Sequence, residues 1–208
     1  MIVLTYHALG HDHVGSVLVR ATKIRDMSVT VIELRVLTPD DWRAWRQLRL
    51  AALAEAPYAF GSRLADWQGD GDREKRWRAR LSIPGSFNVV AVLDGEPAGM
   101  ASGVPAGGAV ELISMWVGPA ARGHGVGDHL VQAVARWARR AGSEALRLAV
   151  VPSNENAIAL YRRNGFRLTG ELGDLMPDGV SREHIMAKDL AGACPAPGGA
   201  TGARRGAS

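Results

Sequence analysis

Val110-Glu111-Leu112-Ile113-Ser114-Met115-Trp116-Val117 runs without a break into Gly118-Pro119-Ala120-Ala121-Arg122-Gly123-His124-Gly125-Val126-Gly127. The first stretch is apolar and of strand length, and the second is a turn dense in glycine. After it Leu130, Val134 and Trp137 recur at helical spacing and mark the buried stripe of a helix that stops near Gly142. Strand, glycine-rich turn and helix in that order aim unpaired backbone N–H groups and the positive end of the helix dipole at one point, a ready site for a phosphate. A nucleotide loop of the lysine type is excluded, because Gly123 is followed by His124 and Gly125 where lysine and a hydroxyl residue are required. A dinucleotide fingerprint starting at Gly123 needs a glycine where Asp128 stands, and the next apolar run, 145–150, ends without the acid that would bind a ribose.

Upstream, residues 31–37 form a short run rich in branched side chains, followed by Thr38-Pro39-Asp40-Asp41. That tetrapeptide has an N-cap hydroxyl, proline at the first helical position and acids in the first turn, so a helix starts at Pro39. Trp42, Trp45, Leu48 and Ala52 give it one buried face as far as Ala54. A second helix is predicted over 72–81. Residues 87–93 and 97–104 are apolar runs on either side of Asp94-Gly95, the signature of a hairpin, and Gly107-Gly108 turns the chain into the strand 110–117.

The chain has 208 residues, 47% hydrophobic and 22% charged, which suits one full-sized core. No stretch approaches the roughly 18 apolar residues of a membrane span, and Ile2-Val3-Leu4 is far short of a signal-peptide core, so membrane and secretory readings are set aside. Cys194 is the only cysteine, which rules out an internal disulfide and a multi-thiolate zinc site and makes a reducing, cytoplasmic setting the expectation. Of the net charge of +4, residues 1–28 carry +1 and 191–208 carry +2, leaving only +1 for 29–190. A nucleic-acid surface needs clustered cations, whereas Arg136, Arg139 and Arg140 sit at the spacing of a solvated helix face, so no nucleic-acid partner is expected. His7, His11 and His13 have no carboxylate or thiol pattern to complete a metal site, and no metal is expected. Residues 1–28 are read as a flexible N-terminal extension, with Met27 an alternative start, 29–190 as the domain, and 191–208 as a disordered tail too poor in large apolar groups to offset ordering entropy.

Arg122-x-x-Gly125-x-Gly127 resembles the pyrophosphate loop of the GNAT superfamily of N-acetyltransferases. A second block of that family, about 30 residues on, has its counterpart in Asn156-Ala157-x-x-Leu160-Tyr161-x-x-x-Gly165-Phe166. The resemblance spans roughly residues 31–190 in element order. It implies an α/β (α+β) fold with a mixed, mostly antiparallel central sheet flanked by helices, and acetyl-CoA as cosubstrate. By the same resemblance Arg122, Gly123, His124, Gly125, Val126 and Gly127 hold the phosphates, with His124 contributing its amide alone. Met115, Trp116 and Val117 would splay from the neighbouring strand and pair through their backbone with the pantetheine arm, and Asn156 would hydrogen-bond to that arm.

Each residue also has a plainer reading. The glycines could make an ordinary tight turn, Arg122 could cap it, Asn156 could start a helix, and Tyr161, on the face of Ala157 and Leu160, could be a core tyrosine. The sharper reading makes Tyr161 the acid, since a phenol of pKa about 10 can protonate a departing thiolate whose thiol has a pKa of about 8.5 to 9. Glu111 is where relatives carry a glutamate and is the candidate base, as an alternative to an exposed strand-end glutamate, with Asp66, Glu171 and His184 as other candidates.

The expected function is direct transfer of acetyl from acetyl-CoA to a primary amine, on a small molecule or a peptide, with a homodimer left open. No covalent enzyme intermediate is implied, because the one cysteine lies in the tail. The alternatives are a catalytically silent acyl-CoA-binding sensor and a nucleic-acid-binding scaffold. The acceptor region implied by the family lies around 55–62 and 171–184, where Tyr58, Phe60 and nearby Trp67 suggest an aromatic lining. Deleting residues 191–208 is expected to leave the melting temperature unchanged, and a fall of several degrees in a thermal scan would show that the tail packs on the domain.

Overall fold

The computed structural model describes residues 17–20, 30–57, 59–176 and 178–191. Eight described strands form one sheet in the order β1-β2-β3-β4-β5-β6-β8-β7. They are β1 (Val17–Arg20), β2 (Val31–Val36), β3 (Phe87–Leu93), β4 (Glu96–Ala106), β5 (Ala109–Val117), β6 (Ala145–Val150), β7 (Arg167–Leu175) and β8 (Arg182–Asp189). Every pairing is antiparallel except β5 with β6, so the sheet is mixed and mostly antiparallel as expected. Val17–Arg20 falls in the segment read as an N-terminal extension and pairs along β2. The remainder of that extension, including His7, His11 and His13, lies outside the described residues, as do residue 29, Tyr58, Cys194 and the tail from 192.

Four described α-helices cover the sheet: α1 (Trp42–Glu55), α2 (Glu74–Leu81), α3 (Val126–Arg140) and α4 (Glu155–Arg163). Pro39–Asp41 opens as a tight 3-10 turn, with the Asp41 carboxylate accepting from Thr38 N–H at 2.8 Å, and α1 continues from it. Asp72, expected to lie in α2, precedes it. Its carboxylate accepts from Arg46 Nε at 2.7 Å and Trp77 Nε1 at 2.8 Å, fastening α1 to α2. On one side of the sheet Trp45, Leu48, Ala52, Trp77 and Leu81 pack on Val90 and Met100. On the other, Leu130, Val134 and Ala138 of α3 pack on Val89, Ala91, Ala101 and Leu112, and the core continues through Tyr161 and Phe166.

The hairpin turn lies at Asp94-Gly95, with φ of 50° and 91°, the doubly positive geometry of a type I′ turn. Alternation along β4 settles which face each residue serves: Ser102 meets α2 through Arg80, while Gly103 meets α3. A Cβ at Gly103 would stand 2.7 Å from Trp137 Cζ3 and 2.9 Å from Val134 Cγ1, and Trp137 is pinned by stacking on Phe87 at 5.3 Å. Gly103→Ala is therefore expected to lower the unfolding free energy by about 1–3 kcal/mol, read as a lower urea midpoint at unchanged slope. An unchanged midpoint would mean that α3 can back away from the sheet at no cost.

Candidate active site

β5 and β6 exchange register only at Val110 with Leu146 and Glu111 with Arg147, and beyond that they diverge. On its other edge β5 has a bulge: Ser102 lies opposite Ile113 and Met100 opposite Trp116, so Ser114 and Met115 both fall across from Ala101. Ser114 has φ 53°, a left-handed conformation unfavourable for a residue with a side chain. Its hydroxyl accepts from Arg80 Nη2 at 3.2 Å, which holds the bulge from the α2 side. The last residues of β5 thus leave backbone N–H and C=O groups toward the gap free of a neighbouring strand.

The gap opens into a cleft of about 670 Å³. Met115, Trp116, Val117, Arg122, Gly123, Gly125, Val126, Gly127, Asn156 and Tyr161 all line it. These ten were expected at a cofactor site, and the fold brings them together. His124 was expected with them but does not line the cleft: it is exposed, and its Nδ1 lies 3.1 Å from the Arg122 carbonyl oxygen. Glu111 is also outside the lining. It is exposed and lies before the bulge, on the sheet face that carries Ile113 and Ser102. Of the other base candidates, Asp66 pairs with Arg63 and Glu171 with Arg147, while His184 lies opposite Val150 where β8 pairs with β6.

The three loop glycines have different physical reasons. Gly123 and Gly125 have φ of 81° and 84°, which a β-carbon resists, and Gly125 is the N-cap of α3. Gly127 is ordinary helix, but a Cβ there would meet Leu160 at 3.1 Å, so it sets how closely α3 and α4 approach. With Gly125 as cap, the first N–H groups of α3 have no intrahelical acceptor and face the cleft. At the start of α4 the cap is Asn154, whose Oδ1 accepts from Ala157 N–H at 3.1 Å, which leaves the Asn156 side chain free of that duty.

Glu55, at the end of α1, lies in the stretch 55–62 expected around the acceptor, but its contact with the glycine loop was not anticipated. Its carboxylate accepts from Arg122 Nη2 at 2.7 Å and from Trp116 Nε1 at 2.9 Å, and those two donors hold it below the usual glutamate pKa. A carboxylate therefore occupies the arginine that a phosphate would approach. Tyr161 is 7% exposed and packs on Phe166 at 5.7 Å, and among the described residues its hydroxyl has no hydrogen-bond partner. Burial pushes its pKa up, so the phenol keeps its proton across the physiological range. Of the aromatic lining expected near the acceptor, Phe60 borders the cleft, while Trp67 packs on Trp77 at 4.5 Å.

The model of the acetyltransferase (GNAT) family matches residues 42–166. Among curated proteins, an IAA acetyltransferase of Azospirillum brasilense is 40% identical over 75 residues, which is 36% of this chain and 49% of that relative, so the chain spans about half the relative's length. A GCN5-related N-acetyltransferase of Kribbella flavida is 26% identical, superposes with a TM-score of 0.61, and has 97% of its chain matched against 76% of this one. The protein yncA of Salmonella typhimurium, solved with its cofactor acetyl-CoA, shares the fold at 22% identity and a TM-score of 0.61, over 94% of its chain and 76% of this one. With a match over residues 42–166, more than half its length, the chain belongs to the GNAT family of acetyltransferases.

Proposed function

We propose that the protein transfers the acetyl group of acetyl-CoA directly to an amine, and that the cleft between β5 and β6 holds the cosubstrate. The observation that carries this reading is the continuity of three surfaces along one cleft: a strand edge with free backbone groups, a helix N-terminus beside Arg122, and the Tyr161 hydroxyl. A pyrophosphate suits the N–H groups of Val126, Gly127 and Asp128, with Arg122 released by Glu55. An extended amide-bearing arm suits the β5 edge, which it joins as an added strand would.

Acetyl-CoA supplies the acetyl group as a thioester. The amine nitrogen forms a bond to the acyl carbon, the carbon–sulfur bond breaks, the nitrogen loses a proton and the sulfur gains one. N–H groups freed by the bulge at Ser114 and Met115 suit the acyl oxygen as negative charge develops on it. Tyr161 gives its proton to the departing sulfur. The burial that raises the phenol's pKa also raises the proton affinity of a thiolate beside it, so the transfer is not handicapped. Glu111, on the strand that makes the bulge, takes the amine's proton by way of water.

Gly125→Val is expected to fold, with about 1–3 kcal/mol lost to a branched residue at φ 84°. It should also bind acetyl-CoA at least about tenfold more weakly by calorimetry, as loss of a charge-assisted hydrogen bond implies. Equal affinity in the folded variant would put the phosphates elsewhere. Tyr161→Phe keeps the ring against Phe166 and removes the proton donor, so turnover should fall by about 10²–10⁴ with the dissociation constant for acetyl-CoA unchanged. If pre-steady-state kinetics show an unaffected chemical step, Tyr161 is a packing residue. Tight binding of acetyl-CoA with no transfer to any amine would identify a sensor in place of an enzyme.

A further inference from the structure

The layer between α1, α2 and the sheet contains two arginines that the reaction above does not use for catalysis. Arg49 of α1 is only 8% exposed, and its Nη1 is buried with no hydrogen-bond partner among the described residues. Its guanidinium lies over the ring of Phe60 at 4.5 Å, and Phe60 borders the cleft. Arg80 of α2 lies over Trp45 at 5.1 Å and donates to Asn88 Oδ1 at 3.2 Å, to Ser102 Oγ at 3.0 Å and to Ser114 Oγ at 3.2 Å. Ser114 adjoins Met115, which lines the cleft. Arg49 thus stands behind a residue that borders the cleft and Arg80 holds the bulge residue beside another, although neither arginine lines the cleft itself.

Neither has a carboxylate partner within 4.0 Å among the described residues, although arginines on the surface of the same helices do, as Arg46 with Asp72 and Arg78 with Glu74. Desolvation lowers the pKa of both to about 10, with the charge of Arg80 contributing to the shift of Arg49, so both remain cationic at neutral pH and repel each other. A buried pair of like charges without a counter-ion is unfavourable for the fold alone. Among the described residues, the remaining buried side-chain atoms without partners, Nε1 of Trp42, Trp45 and Trp67, are N–H donors too, and they belong to the same layer. Arg80 has polar acceptors for its donors, but Arg49 Nη1 and these indole N–H groups have none, and a buried cation with an unmatched donor describes the complement of an oxyanion.

We infer that the acceptor amine carries a carboxylate, as in an amino acid, and that Arg49, behind Phe60, receives that carboxylate with the positive charge of Arg80 beside it, while the amine faces the bulge. This rests on the acetyl-transfer reading. The carboxylate enters from the α1–α2 side of the sheet, the face that also bears Glu111, while the cosubstrate lies in the gap between β5 and β6. Arg80 has a double duty, since the hydroxyl it holds is that of the bulge residue.

The test compares kcat/KM of the full chain for the natural α-amino acids and for the same amino acids as carboxamides, with acetyl-CoA saturating and phosphoethanolamine as a third arm. The best acid should exceed its amide by at least about tenfold, carried mainly by KM, as expected for a charged hydrogen bond. Arg49→Met, which keeps the apolar stem against Phe60 and removes a charge without a partner, should bring that ratio close to one while its melting temperature stays level or rises. Arg49→Lys, which keeps the charge and loses the planar fork, should lower the ratio as well. Acids and amides acetylated alike, or a ratio that survives both substitutions, would overturn the inference and leave acetyl transfer standing. Preference for phosphoethanolamine over every amino acid would overturn the carboxylate in favour of a phosphate. If no amine in any arm releases coenzyme A, the acetyl-transfer reading falls and this inference with it.

Discussion

Beyond Glu111, β5 exchanges no ladder bonds with β6, and the sheet opens there while remaining continuous on either side. A parallel pair that stays zipped would bury the edge of Leu112 to Val117 and leave no cleft. The divergence is held open from several directions. Gly127 lets Leu160 of α4 come against α3, so the second helix stands beside the gap without filling it. Asp128 at the head of α3 accepts from Arg163 Nε at 2.8 Å and from Asn164 Nδ2 at 2.7 Å, tying the end of α4 to the start of α3. The bulge at Ser114 turns the end of β5, and Arg80 holds the bulge through its hydroxyl.

The electrostatics follow from the same geometry. Helix N-terminal amides, Arg122 and the loop glycines gather donors at one end of the cleft, and the ligand-free protein answers part of that with the Glu55 carboxylate. The pair is half exposed and therefore modest in strength, so phosphate can take its place without a large penalty. At the other end Tyr161 sits in apolar surroundings that keep it neutral. One cleft therefore has a charged mouth for an anion and a dry interior for a proton transfer, which are different demands met by different elements.

Much of this was legible in the sequence because it depends on local chemistry. The run 87–93, the Asp94-Gly95 turn, the run 145–150 and the loop from Arg122 to Gly127 each follow from period, turn residues or glycine placement, and the fold places them as read. What was not legible depends on contacts between distant residues. Glu55 meets Trp116 and Arg122 across 61 and 67 residues, and no periodicity in α1 marks its last glutamate as special. The helix start near Asn154 and Asn156 offered two asparagines with the same capping chemistry, and only the backbone shows that Asn154 is the cap. Arg49 looked like any arginine of an amphipathic helix. Its burial arises because Phe60 folds over it and Arg80 comes up beside it from α2.

The central claim is that the free edge of β5 and the head of α3 together bind acetyl-CoA. Amide hydrogen exchange with and without acetyl-CoA tests it most directly, because the N–H groups of β5 that point into the gap and those that open α3 have no acceptor in the ligand-free sheet and helix. The account predicts slowed exchange confined to Ser114–Val117 and to Gly123–Asp128, with the amides of β2 and β3 unchanged. Protection that bypasses both segments, or none at saturating acetyl-CoA, would contradict it.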